Sequence, residues 1–269
     1  MVYRLVTNEE RNSFAPELIN SVHIIVTDEE KVWVVKQKNH PPEALKRDML
    51  GFILGSKVAN VAEVKALSEE EFNQIKAITN KDASATSSNT FLVRLGGSYV
   101  LDELRHKTLE AAVAAELVYS TWTRRRDAHV DNRCYIEGVP IFFDHETSFL
   151  WEADKAHATV FFRISPDYGH PSFWRVKEAP EKMTTQQIRL LDRSVKGAYH
   201  FVNNLDTFNK SIVIAENLIQ TIFRDDFRND IYRAGFSNQQ VEIIYSFLRY
   251  NLNTLHLDLD LMKGVIFKE

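Results

Sequence analysis

The order of segments between residues 109 and 144 constrains this chain more than any other feature. A run of strong helix formers is followed by a short charged loop and then by two apolar strands around a tight turn. "TLEAAVAAELVYSTWTRR" places Leu109, Ala112, Val113 and Leu117 on one helical face. "NRCYI" and "VPIFFD", separated by Glu137-Gly138, have the pattern of a half-buried hairpin. A hairpin folds its two open ends together. Asn132 and Asp144 are therefore expected side by side although twelve positions separate them, with Asp127 on the entering loop within reach of both.

An amide oxygen and carboxylates at one end of a hairpin form an oxygen-donor set suited to Mg²⁺. The remaining carboxylate can accept a proton from an attacking hydroxyl. Phosphoryl transfer needs this division of labour, with a loop Asp to orient the nucleophile, an Asn five residues on for metal, and an Asp after the next hairpin for metal. Asp and Asn singly most often mark turns. The order helix, D-x-x-x-x-N, hairpin, D is far more specific than any one of its residues.

The rest of the chain is compatible with an enzyme of this kind. Its 269 residues, 44% hydrophobic and 26% charged, suffice for two lobes and a real core. A net charge of -4 gives no global basic field for nucleic acid. The single cysteine, Cys134, excludes an intramolecular disulfide and a multi-cysteine zinc site. No apolar run approaches the ~20 residues that span a bilayer, and "MVYRLVTNEERNSF" lacks the pattern of a secretory signal. A cytoplasmic protein is the expectation.

Up to about residue 97 the pattern is strand-rich. "SVHIIVTDEEKVWVVKQK" reads as a hairpin around "DEE", and "PPEALKRDMLGFILG" as a helix opened by Pro41 and Pro42 with Gly55 as its C-cap. "VANVAEVKAL" and "TFLVRL" read as strands, "NKDASATSSN" as a loop. Capping boxes at Ser68/Glu71, Thr184/Gln187 and Ser237/Gln240 announce three helices. The expected fold is α+β and two-lobed, with residues 1–97 a small β-rich lobe and 98–269 a larger, mostly helical one.

Two segments carry a family resemblance. "DAHVDN" resembles the D-x-H-x-x-N catalytic loop of HipA-like and aminoglycoside-phosphotransferase-like kinases. "IFFDHETSF" resembles a segment of HipA-like and phosphatidylinositol-kinase-like enzymes, and the motif order spans about residues 20 to 150. The resemblance implies a two-lobed, protein-kinase-like fold that binds ATP and Mg²⁺. Asp127 would be the catalytic base, Asn132 and Asp144 the metal ligands, and His129 a support for the loop. A protein Ser/Thr is the first acceptor it suggests, with a small molecule or a phosphoinositide next. Two departures stand out: His145 and Glu146 follow the metal Asp where a glycine is usual, and Arg125 and Arg126 precede Asp127 with no HRD-type histidine.

A kinase also needs a strand lysine to hold the nucleotide phosphates, paired with a helix glutamate. "VWVVKQK" puts Val32, Val34 and Lys36 on one strand face, so Lys36 is the first candidate and Lys38 the second. Glu43 stands where HipA-like sequences place the partner acid, with Asp48 as its rival. An acid at a helix start is also favourable without any function. No glycine-rich loop precedes Lys36.

Two other readings share the same residues. One is a pseudokinase-like scaffold that binds nucleotide or a partner without turnover. The other is a metal-dependent hydrolase using His129, Asp131, Asp144, His145 and Glu146, although neighbouring strand residues point to opposite sides. Trp33, Trp122, Trp151 and Trp174 read as packing residues, and Cys134 as buried and inert. "TRRRD" reads as a solvated helix end or a phosphate-steering patch, and "HLDLDL" as a terminal strand or the end of a helix.

Overall fold

β-Branched residues crowd "HIIVT" and "VWVV", and the chain pairs these segments into one antiparallel sheet. The computed structural model describes residues 2–7, 9–10, 23–37, 43–79, 84–94, 98–123, 125, 132–145, 148–149, 205–222 and 226–267. The sheet contains β1 (Tyr3–Leu5), β2 (His23–Thr27), β3 (Val32–Gln37), β4 (Val64–Ala66) and β5 (Thr90–Arg94), in the order β1-β2-β3-β5-β4. β1 is an addition to the sequence reading; three residues are too short to show a period. The β2–β3 hairpin turns at "DEE" as expected, with Glu30 in the left-handed region at φ 59°.

Between β3 and β4 lies helix α1 (Ala44–Gly55), and between β4 and β5 helix α2 (Glu69–Thr79). α1 runs through Gly55 and is capped at Ser56, one residue beyond the expected stop. α2 begins on the expected capping box. The Ser68 amide donates to Glu71 Oε2 at 3.0 Å, and the Glu71 amide to Ser68 Oγ at 3.3 Å. Its Phe72 and Ile75 cover one sheet face over Ile25, Trp33, Val35 and Leu92. "VANVAEVKAL" is mostly not a strand. Only Val64–Ala66 pairs within the sheet, and the segment before it turns to the hairpin below.

Helix α3 (Leu109–Thr123) is buried along nearly its whole circumference, from Ala112 to Thr123. Its predicted one-sided face is too narrow a description, because helices pack on it from several directions. An all-round apolar helix belongs in a core. Around it lie α4 (Leu205–Ile222), α5 (Arg228–Arg233) and the long α6 (Asn238–Phe267). α6 starts on its own capping box, the Ser237 amide donating to Gln240 Oε1 at 3.0 Å. "HLDLDL" belongs to this helix. Trp122 ties α3 to α6, its indole N–H donating to the Leu248 carbonyl at 3.0 Å while Asn251 Nδ2 donates to the Trp122 carbonyl at 3.0 Å. The Thr184 helix, Trp151 and Trp174 lie outside the described residues.

β6 (Arg133–Ile136) and β7 (Val139–Phe142) form the expected hairpin. Its turn places Glu137 at φ 49° and Gly138 at φ 81°, the double left-handed geometry that suits the twist of a two-residue hairpin. The hairpin is stitched to the chain leaving α1. The Phe142 amide donates to the Asn60 carbonyl at 2.8 Å, and the Ala62 amide to the Phe142 carbonyl at 2.7 Å. Asn60 Nδ2 donates to the His106 carbonyl at 2.8 Å, and the His106 amide donates to Asn60 Oδ1 at 2.9 Å.

These elements make an α+β, two-lobed fold: a small antiparallel sheet with its helices, then a part that is mostly helical among the described residues, with a hairpin facing the sheet. Val64, Phe91 and Val93 of the sheet pack with Val139 and Ile141 of the hairpin in one core cluster. Among the described residues no helix is long and apolar enough to cross a membrane.

Candidate active site between the sheet and the hairpin

Strand alternation sets the position of Lys36. Cross-strand partners share a face, and Lys36 stands opposite Phe91 while Val34 stands opposite Val93. Phe91 and Val93 belong to the cluster that touches the hairpin, so the lysine points toward the second lobe. There Lys36 Nζ donates to Asp144 Oδ2 at 2.9 Å, joining two residues 108 positions apart. Both side chains are largely shielded, 14% and 19% exposed. Lys36 Nζ also stands 5.5 Å from the centre of the Phe143 ring. Lys38 lies outside the described residues.

The hairpin brings Asn132 to the same end. The Phe143 amide donates to the Asn132 carbonyl at 3.1 Å, one step beyond the last paired residues, Arg133 and Phe142. Asn132 is buried, 7% exposed. Asn132 and Asp144 thus stand at one end of the hairpin, and an amide oxygen and a carboxylate are donor types that a hard divalent cation takes. Asp127 and Glu146 lie outside the described residues, as do His129 and Asp131. Among the described residues, no group of three His, Cys, Asp or Glu side chains is placed to hold a metal ion.

Asp144 occupies the left-handed region at φ 66°. Aspartate tolerates that conformation better than most residues, yet it is held there at a cost of about 1 kcal/mol. Hydrogen bonds on both sides hold it. Arg125 Nη2 donates to the Phe143 carbonyl at 2.5 Å, and the His145 amide donates to Asp48 Oδ1 at 2.5 Å. Strain of this kind persists where the surroundings over-determine it, and it concentrates at functional sites.

The two acids weighed on α1 part company. Asp48 is buried, 1% exposed, and reaches the backbone next to Asp144. Glu43 instead accepts from Arg47 Nη2 at 3.3 Å and from Gln240 Nε2 of α6. The structure therefore does not bring Glu43 to Lys36, contrary to the expectation. The physical reason is helical phase: five positions separate the two acids, well over one turn of 3.6, which swings Glu43 round toward α6.

His145 is fully buried between α1 and α3. Its Nδ1 lies 3.2 Å from the Tyr119 hydroxyl, and the rings meet edge to face at 5.4 Å. Burial, reinforced by the Arg125 charge, pushes its pKa well below the ordinary histidine value. Sealed from solvent against Tyr119 and the face of Gly51, His145 is a packing residue, which removes a member from the hydrolase set. Burial likewise pushes the Tyr119 hydroxyl pKa up.

Two site-supporting residues escaped the sequence reading. Arg125, expected at a solvated helix end or in a phosphate-steering patch, is fully buried, and its Nη1 lies 3.2 Å from Glu116 Oε1. The signal was Glu116 itself, a lone carboxylate within the apolar run "AAELVYSTW", because a buried acid must find a cation. Cys134 is half-buried rather than buried, 3.7 Å from the Ile141 carbonyl.

No family model and no curated protein matches the chain. Among solved structures, a crystal structure of a Helicobacter pylori proinflammatory kinase, CtkA, superposes on 89% of this chain and 91% of that one, with 12% identity and a TM-score of 0.40. The functional reading rests on the residues.

Proposed function

We propose that the chain is an ATP- and Mg²⁺-dependent phosphotransferase of the HipA-like kind, acting on a hydroxyl acceptor, with a protein serine or threonine as first choice. The observation that carries the reading is the Lys36–Asp144 pair, 2.9 Å across the two lobes. A strand lysine and a hairpin aspartate meeting across the two lobes suit a nucleotide phosphate and its metal.

In this reading Lys36 binds the phosphates, and Asn132 and Asp144 hold Mg²⁺. Bound Mg²⁺ would neutralise charge developing on the transferred group. Asp127 orients the acceptor hydroxyl and takes its proton. Asp48 takes the place first given to Glu43, acting on the loop that carries Asp144 rather than on the nucleotide. Residence in the cytoplasm belongs to the same proposal.

The test is transfer of labelled phosphate from ATP to a mixture of protein and small-molecule acceptors, with nucleotide binding measured with and without Mg²⁺. Wild type should label an acceptor and Asp144→Asn should not, while both bind nucleotide. Binding without transfer by wild type would favour the pseudokinase-like scaffold. Absence of any nucleotide binding would overturn both.

A further inference from the structure

One carboxylate on α3 holds the chain on both sides of the D-x-x-x-x-N segment. Arg125, two residues before Asp127, places Nη1 3.2 Å from Glu116 Oε1. Arg133, the residue after Asn132, donates from Nε to Glu116 Oε2 at 3.1 Å and from Nη2 to the same oxygen. All three side chains are sealed from solvent, at most 3% exposed. The other arm of Arg125 donates to the carbonyl of Phe143, the residue before Asp144.

We infer that Glu116, Arg125 and Arg133 form a positioning triad for phosphate transfer, with Arg125 carrying the constraint from α3 to Asp144. The inference rests on the phosphotransferase reading. Burying three charges is costly, and a packed apolar set would serve stability at least as well. What the ions add is direction. A guanidinium is a rigid fork that binds two acceptors at a fixed angle. Here the two acceptors are the α3 carboxylate and the carbonyl that sets the left-handed turn at Asp144. The same carboxylate fixes the start of β6, so one rigid helix references both proposed metal residues.

The test replaces the fork but keeps the charge. Arg125→Lys can bond Glu116 or the Phe143 carbonyl, not both in the fork's geometry. It should lower kcat about tenfold or more while KM for ATP stays within about threefold. Independently of activity, hydrogen exchange should speed up about tenfold at the Phe143 and His145 amides, which donate to the Asn132 carbonyl and to Asp48. Ile75→Val, in the sheet core remote from the site, supplies a control whose melting point falls without a fall in kcat. Unchanged exchange at Phe143 and His145 overturns the inference, as does a loss of kcat no larger than in the control. If wild type transfers no phosphate, the phosphotransferase reading fails by itself, and the exchange readout still decides the triad. If Arg125→Lys does not fold, Arg133→Lys takes its place and should raise exchange at the same amides about threefold; no change there overturns the inference.

Discussion

His145 lies directly over Gly51 of α1: a Cβ at position 51 would stand 2.4 Å from His145 Cβ and 2.4 Å from its Cγ. The helix and the loop carrying Asp144 thus touch where no side chain fits. Lys36 and Asp144 meet beside that contact, so the position of α1 and the geometry of the site are mechanically linked.

Gly51→Ala tests the link. Alanine favours the helix by about 0.5–1 kcal/mol, but the clash is with atoms close to the His145 backbone, and overpacking of this kind costs about 1–3 kcal/mol. The expected balance is net destabilisation, read as a lower urea midpoint. Transfer should fall about tenfold or more, because His145 cannot yield without moving Asp144.

The separate fates of the two acids on α1 give a second prediction. Glu43→Gln removes a half-buried ion pair with Arg47 and should change stability by about 1 kcal/mol or less, with transfer within about threefold of wild type. Asp48→Asn keeps the shape but weakens the acceptor for the His145 amide, and should cut transfer about tenfold or more. Parallel kinetics on the two variants decide between the acids. Equal losses would return Glu43 to the site.

The pH dependence of stability should show Glu71. Burial opposes its charge, but hydrogen bonds from Lys65, the Ser68 amide and Tyr3 outweigh it and hold the carboxyl at about 2. The folded value lies below the unfolded one, so the stabilisation is complete above about pH 4.5 and is lost as pH falls toward 2. At pH 7, Glu71→Gln should be less stable by about 1–2 kcal/mol, after allowance for solvent screening of a partly exposed network. Denaturant midpoints of the two proteins should converge between pH 4.5 and 2. A gap that persists at the acid end would count against this assignment.

Trp122 supplies the fourth prediction. It is fully buried and bonded at both its indole and its carbonyl to α6, and it meets Phe227 edge to face at 6.0 Å. Trp122→Ala should cost about 3–5 kcal/mol, measured by equilibrium unfolding. Since Trp122 lies on the α6 side of α3, Trp122→Phe should recover most of the stability and retain transfer.

The elements that were legible in the sequence were those whose signal is local. The β6–β7 hairpin followed from two apolar runs around Glu137-Gly138, and α2 and α6 from their capping boxes. Lys36 could be assigned to a face because strand alternation has a period of two, and hairpin closure put Asn132 at the end that carries Asp144. β1 was missed because three residues carry no measurable period. Glycine commonly caps helices, yet Gly55 is the last residue of α1 and the cap is Ser56. A Cβ at Gly55 would lie 2.6 Å from Val61 Cγ2, so close approach of the chain explains that glycine better than capping does.

The sequence by itself determined which residue types carry the proposed chemistry and the order in which they occur, because motif spacing and strand alternation are properties of neighbours along the chain. It left open which of Glu43 and Asp48 reaches the site, whether Arg125 faces water, and what His145 packs against. Only the tertiary structure decided these points. Whether a charged side chain is solvated or buried depends on what packs against it. Glu116 sits on a helix surrounded on most sides, Gly51 leaves a gap that His145 fills, and Gln240 draws Glu43 away. None of those partners is near in sequence.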